Sequence, residues 1–171
     1  QETEGEKEKE LKELKKLIEK GIKEYEIKGI VTGALASIYQ AERVQKICSE
    51  LGVWCFNPLW QMDQEELLNE LLDEKFTTII AGVFGYPLDE TYLGKEIDEN
   101  MVYKLVNMAK EYKINPAGEG GEIETFVIDG PMFKKRIKIT ESKIEYKNHA
   151  GVFEIKKAEL TQSNPSAKVS M

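Results

Sequence analysis

The chain has 171 residues, 41% hydrophobic and 32% charged, with 24 Lys+Arg against 31 Asp+Glu for a net charge of −7. That length holds one domain or two small ones, and the acidic balance argues against sequence-independent nucleic-acid binding, which needs a basic field. No apolar run reaches the ~20 residues that span a bilayer and no charged-then-apolar leader is legible, so a cytoplasmic protein away from membranes is expected.

Residues 6–26 read as a helix, with Leu11, Leu14, Ile18, Ile22 and Tyr25 forming one apolar stripe on a Glu/Lys-rich surface. Lys28–Thr32 is a short β-branched run suited to a buried strand. Gly33-Ala34-Leu35-Ala36-Ser37 then leads into a helix over Ile38–Leu51 that Gly52 ends, and Val53–Phe56 is the next strand. Strand–helix–strand alternation of this kind implies a parallel sheet, in which ligands sit beyond the carboxyl ends of the strands. After the break at Pro58-Leu59-Trp60, Asp63 caps a helix reaching about Lys75, and Phe76–Val83 is a further buried strand. Phe84–Gly94 reads as loop, Asp98 caps a helix to about Tyr112, and Ile114–Gly121 is a Gly/Pro-rich turn. The period then changes: Glu124–Ile128, Phe133–Thr140, Lys143–Lys147 and Val152–Leu160 predict short antiparallel strands. Thr161–Met171 reads as a loose tail.

Two cysteines, Cys48 and Cys55, build no disulfide framework, and no His/Cys cluster offers a zinc site, so no metal ligands are assigned. The single histidine, His149, lies in a polar turn without a Ser or Cys partner in any motif, which sets aside Ser-His-Asp and Cys-His chemistry. Three stretches remain. In Gly118-Glu119-Gly120-Gly121-Glu122 the glycines let backbone approach a ligand closely, and Glu119 and Glu122 could bind a cation or accept a proton; the same stretch also reads as an ordinary polar turn before a strand. Gly33–Ser37 would admit a phosphate or nucleotide to a helix N-terminus, although it carries neither G-x-x-x-x-G-K-[ST] nor G-x-G-x-x-G, and tight helix–sheet packing explains it as well. Arg43, on that helix, is suited either to a phosphate or to a surface ion pair. Trp60 reads as core or as a pocket wall. If its turn met the loop bearing Phe84, Tyr86 and Tyr92, the rings could cage a quaternary ammonium.

In order along the chain stand Thr3…Gly5-Glu6-Lys7-Glu8, Gly33-Ala34-Leu35-Ala36-Ser37-Ile38-Tyr39-Gln40, Pro58-Leu59-Trp60, Leu93-Gly94-Lys95, Gly118-Glu119-Gly120-Gly121-Glu122-Ile123-Glu124-Thr125-Phe126 and Gly130-Pro131-Met132-Phe133-Lys134. This succession, over about residues 3–160, resembles the diphthine–ammonia ligase family of the N-type ATP pyrophosphatases (the PP-loop superfamily), in an archaeal form. The resemblance implies an α/β fold: a Rossmann-like, adenine-nucleotide α-hydrolase-like parallel sheet, with its N-terminal part missing, followed by a smaller α+β domain with antiparallel strands. The implied division is residues 1–60 for the nucleotide-binding part, 61–160 for the substrate-binding domain with the Glu-Gly-Gly-Glu motif, and 161–171 for a flexible tail.

The implied reaction is amidation of diphthine, a modified histidine of elongation factor two. ATP activates the carboxylate as an acyl-adenylate, releasing pyrophosphate, and ammonia displaces AMP to give diphthamide. Mg²⁺ would offset phosphate charge. Carried onto this sequence, Gly33, Ala34, Leu35, Ala36, Ser37, Tyr39, Gln40 and Arg43 would border the nucleotide, Glu119 and Glu122 would be catalytic, and Trp60, Gly118, Gly120, Gly121, Glu124 and Thr125 would meet the substrate. Partners would be the elongation factor and ammonia or ammonium, with no direct nucleic acid and no membrane, and self-association left open. The family's Ser-Gly-Gly-Lys-Asp-Ser phosphate loop has no equivalent here. With Gln1 first, roughly the opening third of the enzyme is expected to be absent and the chain inactive alone. Ala41 and Lys95 stand where relatives often have arginine. A non-catalytic module that keeps the diphthine- or factor-binding surface is the competing reading; a tRNA-modifying pyrophosphatase is disfavoured by the net charge of −7.

Overall fold

The computed structural model describes residues 9–162. They fall into two compact units that divide between Met62 and Asp63.

In the first unit, α1 (Lys9–Tyr25) follows the apolar stripe, with Ile18 buried. The predicted start at residues 6–8 lies outside the described residues. β1 (Gly29–Val31) pairs in parallel with β2 (Trp54–Phe56), Gly29 opposite Trp54 and Val31 opposite Phe56. A Cβ at Gly29 would overlap the Trp54 indole, 2.0 Å from its Cδ2, so a larger residue there has to displace the ring. The crossover helix α2 (Ile38–Leu51) is capped at both ends. Ser37 Oγ accepts from the Gln40 N–H at 3.3 Å, and Gly52, at φ 68°, turns left-handed so that its N–H reaches the Cys48 and Ser49 carbonyls. Lys15 Nζ meets Glu50 Oε2 at 2.6 Å and ties α1 to α2.

The second unit opens with α3 (Gln64–Asp73), whose cap Asp63 accepts from the Glu65 and Glu66 N–H groups. β3 (Thr77–Phe84), a 3₁₀ turn at Glu90–Tyr92, α4 (Glu99–Tyr112, capped by Asp98), β4 (Ile123–Asp129), β5 (Lys135–Lys147) and β6 (Ala150–Gln162) follow. The four strands form one antiparallel sheet in the order β4-β3-β6-β5. Ile80 and Val83 of β3 and Ile123 of β4 pack with Leu68 of α3 and Met101, Val102, Leu105 and Val106 of α4 in one core. The molecule is thus mixed α/β: a small parallel strand pair with helices, then a four-stranded antiparallel sheet.

Three expectations change. The two strands expected over Phe133–Thr140 and Lys143–Lys147 are one, β5, which starts at Lys135. The polar Glu141-Ser142 step that reads as a turn is an irregularity in register against β6, of the kind that lets a strand absorb an extra residue and bend. Thr161 and Gln162 belong to β6 rather than to a tail, and 163–171 lie outside the described residues. Tyr92 packs against the core cluster, which removes it from any aromatic cage.

Candidate functional site

Two regions hold the residues singled out by sequence, one in each unit. In the first, the carboxyl ends of β1 and β2 are joined by side chains: Thr32 Oγ1 donates to Asn57 Oδ1 at 2.6 Å and accepts from the Ala34 N–H at 3.2 Å. That hydroxyl turns the chain sharply from β1 towards α2. Ala34 and Leu35 are buried, whereas Gly33, Ala36, Tyr39 and Gln40 are exposed. A Cβ at Gly33 would meet nothing within 4 Å, so open space lies beside the backbone there. The Arg43 guanidinium lies 3.2 Å from the Tyr39 ring centroid and donates to the Tyr39 carbonyl; this stacking holds a permanent positive charge along the first turns of α2. Trp60 is half-buried in the turn after β2, and the next residue, Gln61, donates its N–H to the Leu35 carbonyl at 2.7 Å. The Trp60 turn is therefore tied to the Gly33–Ser37 segment.

In the second unit the Gly-rich turn is clasped from within. Glu122 Oε1 accepts from the Asn115 N–H at 3.2 Å and from Asn115 Nδ2 at 3.0 Å. Asn115 Oδ1 accepts from Gln64 Nε2 at 2.9 Å, and Gln64 Oε1 accepts from the Ala117 N–H at 3.1 Å. Gly118 and Gly121 take φ of 82° and 84°, the left-handed region that glycine enters without strain. Gly120 is required for a different reason: a Cβ there would sit 2.5 Å from Asn115 Nδ2 and from both Glu122 carboxylate oxygens. Glu122 Oε2 is buried without a hydrogen-bond partner. Glu119 is exposed at the outer bend. Glu124 and Thr125, adjacent on β4, face opposite sides of the sheet by strand alternation, and Thr125 lines a small apolar cavity of about 150 Å³ with Leu68, Leu72 and Phe76.

Gln64 and Asn115 went unmarked in the sequence, although they hold the loop. The backbone connects this loop to two others: the Phe84 N–H donates to the Glu122 carbonyl at 2.8 Å, and the Gly85 N–H donates to the His149 carbonyl at 2.7 Å. The acidic loop, the turn after β3 and the β5–β6 hairpin turn therefore meet at one end of the antiparallel sheet. Hydrogen bonding to Glu111 and then to Tyr86 pushes the Tyr112 phenol, at the end of α4, up to about 12.

A parallel strand pair open at its carboxyl ends, followed by an antiparallel unit with a clasped acidic loop, defines a two-part mixed α/β protein. Residues 63–161 match the model of the diphthamide synthase C-terminal domain, and residues 1–55 match that of its N-terminal domain. The chain is 40% identical over 142 residues to the diphthine–ammonia ligase of Bos taurus and 39% identical over 142 residues to that of Homo sapiens; each match covers 82% of this chain and 52% of the relative. It is 40% identical over 119 residues to the diphthine–ammonia ligase of Schizosaccharomyces pombe, covering 70% of this chain and 20% of that protein. The chain belongs to the diphthamide synthase (diphthine–ammonia ligase) family. It spans about half the length of the vertebrate relatives it matches.

Proposed function

We propose that this chain is part of an enzyme that amidates diphthine on elongation factor two, using ATP to form a carboxyl-adenylate that ammonia attacks, with release of AMP and pyrophosphate. The observation that carries the reading is the match of both units, in order, to the two domains of one ligase family. A free carboxylate is a poor electrophile, and transfer to AMP supplies the leaving group that ammonia displaces.

The first unit, read as the end of a Rossmann-like nucleotide-binding domain, would take the adenylate along Gly33–Ser37. There the open space beside Gly33, the first-turn N–H groups of α2 and the charge of Arg43 fit a phosphate-bearing group. Tyr39 and Gln40 would support that edge. Among the described residues no three of His, Cys, Asp and Glu gather into a metal site. Mg²⁺ would offset the charge of the nucleotide's phosphates, which commonly hold it together with one or two carboxylates and water. The second unit would present diphthine to the acidic loop. Gly118, Gly120 and Gly121 keep that loop thin enough for close approach, and Glu119 and Glu122 would attract the substrate's trimethylammonium group or orient ammonia towards the activated carbonyl. In that unit Glu124 would extend the substrate surface, whereas Thr125, on the other face of β4, would not; Trp60 would serve as an aromatic wall within the first unit.

The test is reconstitution, with the chain expressed together with whatever coding sequence precedes Gln1 in its gene. Elongation factor bearing diphthine, ATP and ammonium should yield AMP and the mass change from acid to amide. AMP release without amide would overturn amide transfer. Binding of the factor with neither product would favour a non-catalytic module.

A further inference from the structure

Between α3 and the sheet of the second unit lies a cavity of about 150 Å³ that plays no part in the reaction proposed above. Leu67, Leu68, Leu71 and Leu72 of α3, with Phe76 and Ile97, supply its apolar wall. Among the described residues no charged side chain lines it. Thr78 of β3 does, from the strand face it shares with the core residue Ile80. Thr78 is 7% exposed, and its hydroxyl Oγ1 is buried with no hydrogen-bond partner. A polar group left in that state costs the fold its desolvation energy, and a partner brought in with a ligand would recover it. Water fits poorly: a buried water makes about three hydrogen bonds, and the lining side chains offer two hydroxyls, those of Thr78 and Thr125. A six-membered ring fits, because apolar cavities of about 150 Å³ admit one. Thr125 is exposed and marks the side from which a small molecule enters. Ala117 also lines the cavity, and its N–H is the one that Gln64 Oε1 accepts in the loop clasp, at 3.1 Å.

We propose that this cavity binds a small uncharged molecule, an apolar ring carrying one hydrogen-bonding group, and that its occupant braces the acidic loop through Ala117. The ring packs on the leucine wall and the polar group pairs with Thr78 Oγ1. A charged molecule is rejected, because the wall holds no group to pair with its charge. The inference goes beyond the amidation proposed above and does not depend on it.

The test titrates the whole chain, methyl-labelled at Leu and Ile, with phenol, toluene and benzoate, followed by NMR. Phenol and toluene should shift the methyl signals of Leu67, Leu71 and Ile97 saturably, and benzoate should bind at least about tenfold more weakly than phenol. Thr78→Val keeps the shape and removes the hydroxyl. It should weaken phenol at least about fivefold, because the phenol hydroxyl is then buried unpaired, and leave toluene within about twofold. Ala117→Leu fills the space from the loop side and should abolish the shifts by both neutral ligands. With phenol at about ten times its Kd, hydrogen exchange of the Ala117 N–H should slow about tenfold, since opening must first release the ligand. Four results overturn the site: no saturable shift at the lining methyls, benzoate binding as tightly as phenol, equal changes for phenol and toluene in Thr78→Val, or retained binding by a folded Ala117→Leu variant. Unslowed exchange at Ala117 with the cavity filled overturns the brace. The probes need neither ATP nor the elongation factor, so failure here leaves the proposed reaction standing.

Discussion

Replacing Asn115 with alanine removes the centre of the loop clasp while leaving both glutamates and all three glycines in place. The side chain donates to Glu122 Oε1 at 3.0 Å and accepts from Gln64 Nε2 at 2.9 Å. A hydrogen bond to a carboxylate is worth about 1.5–3 kcal/mol net and a neutral one about 0.5–1.5 kcal/mol. All three residues are half-buried, so water recovers part of what alanine removes, and a loss of about 2 kcal/mol follows. For a unit of this size each kcal/mol moves Tm by roughly 4 °C, giving a fall of about 8 °C. Both tryptophans, Trp54 and Trp60, lie in the first unit, so their fluorescence reports the wrong part of the molecule. The assay is hydrogen exchange of β3 and β4 amides together with near-ultraviolet circular dichroism of the tyrosines. In a double-mutant cycle with Glu122→Ala the coupling should exceed about 1 kcal/mol, since the two side chains bond directly. Additivity to within about 0.4 kcal/mol would refute the clasp.

Other expectations follow from single sites. In an alkaline titration Tyr112 should give a late phase near pH 12, and Tyr112→Phe should remove it. Because this pKa is raised in the fold, the stabilisation it contributes is complete below pH 10, the ordinary tyrosine value, and is lost as pH rises through about 12. Burial, and then the neighbouring Cys55, push the Cys48 thiol up; alkylation at mildly alkaline pH should therefore mark Cys55 quickly and Cys48 only on unfolding, and equal rates would contradict the buried placement of Cys48. Gly29→Ala, which drives a Cβ into the Trp54 ring, should destabilise the first unit by about 1–3 kcal/mol with a change in tryptophan fluorescence. Gly33→Ala, which meets nothing within 4 Å, should alter stability by less than about 0.5 kcal/mol in the same denaturation experiment.

Local signals were the ones legible in the sequence. Asp63 and Asp98 each cap the helix they precede, and Gly52 ends α2 in the left-handed conformation, because a cap is decided by chemistry within four residues. The strand pair around α2 follows from alternation alone. Glu141-Ser142 misled because a polar pair looks alike in a turn and in an irregular strand; only the partner strand β6 decides between them. The Gly-rich turn displays its two carboxylates, but Gln64 lies 51 residues from Asn115, and no periodicity links them. For the same reason the loop tyrosines could not be sorted beforehand: Tyr92 follows a 3₁₀ turn into the core, while Tyr86, six residues earlier, stays exposed and meets a ring from α4 and one from the hairpin.

The clasp also separates the two glutamates as candidates for chemistry. Glu122 commits Oε1 to Asn115 twice, so any substitution there risks moving the loop as well as removing a charge. Glu122→Gln keeps an acceptor oxygen for Asn115, whereas Glu122→Leu does not. Loss of amidation in the leucine variant alone therefore marks a positioning role, and loss in both marks use of the charge. Glu119 stands at the exposed bend; Glu119→Gln removes its charge and keeps its shape, and hydrogen-exchange protection of β3 and β4 in that variant reports whether the loop has moved. If the loop orients the attacking amine through Glu119, amide formation in the reconstituted assay should fall at least about tenfold, the scale on which positioned acid–base groups act. Normal amidation by Glu119→Gln, with protection intact, would rule that carboxylate out and leave Glu122 as the only acid of the motif still in question.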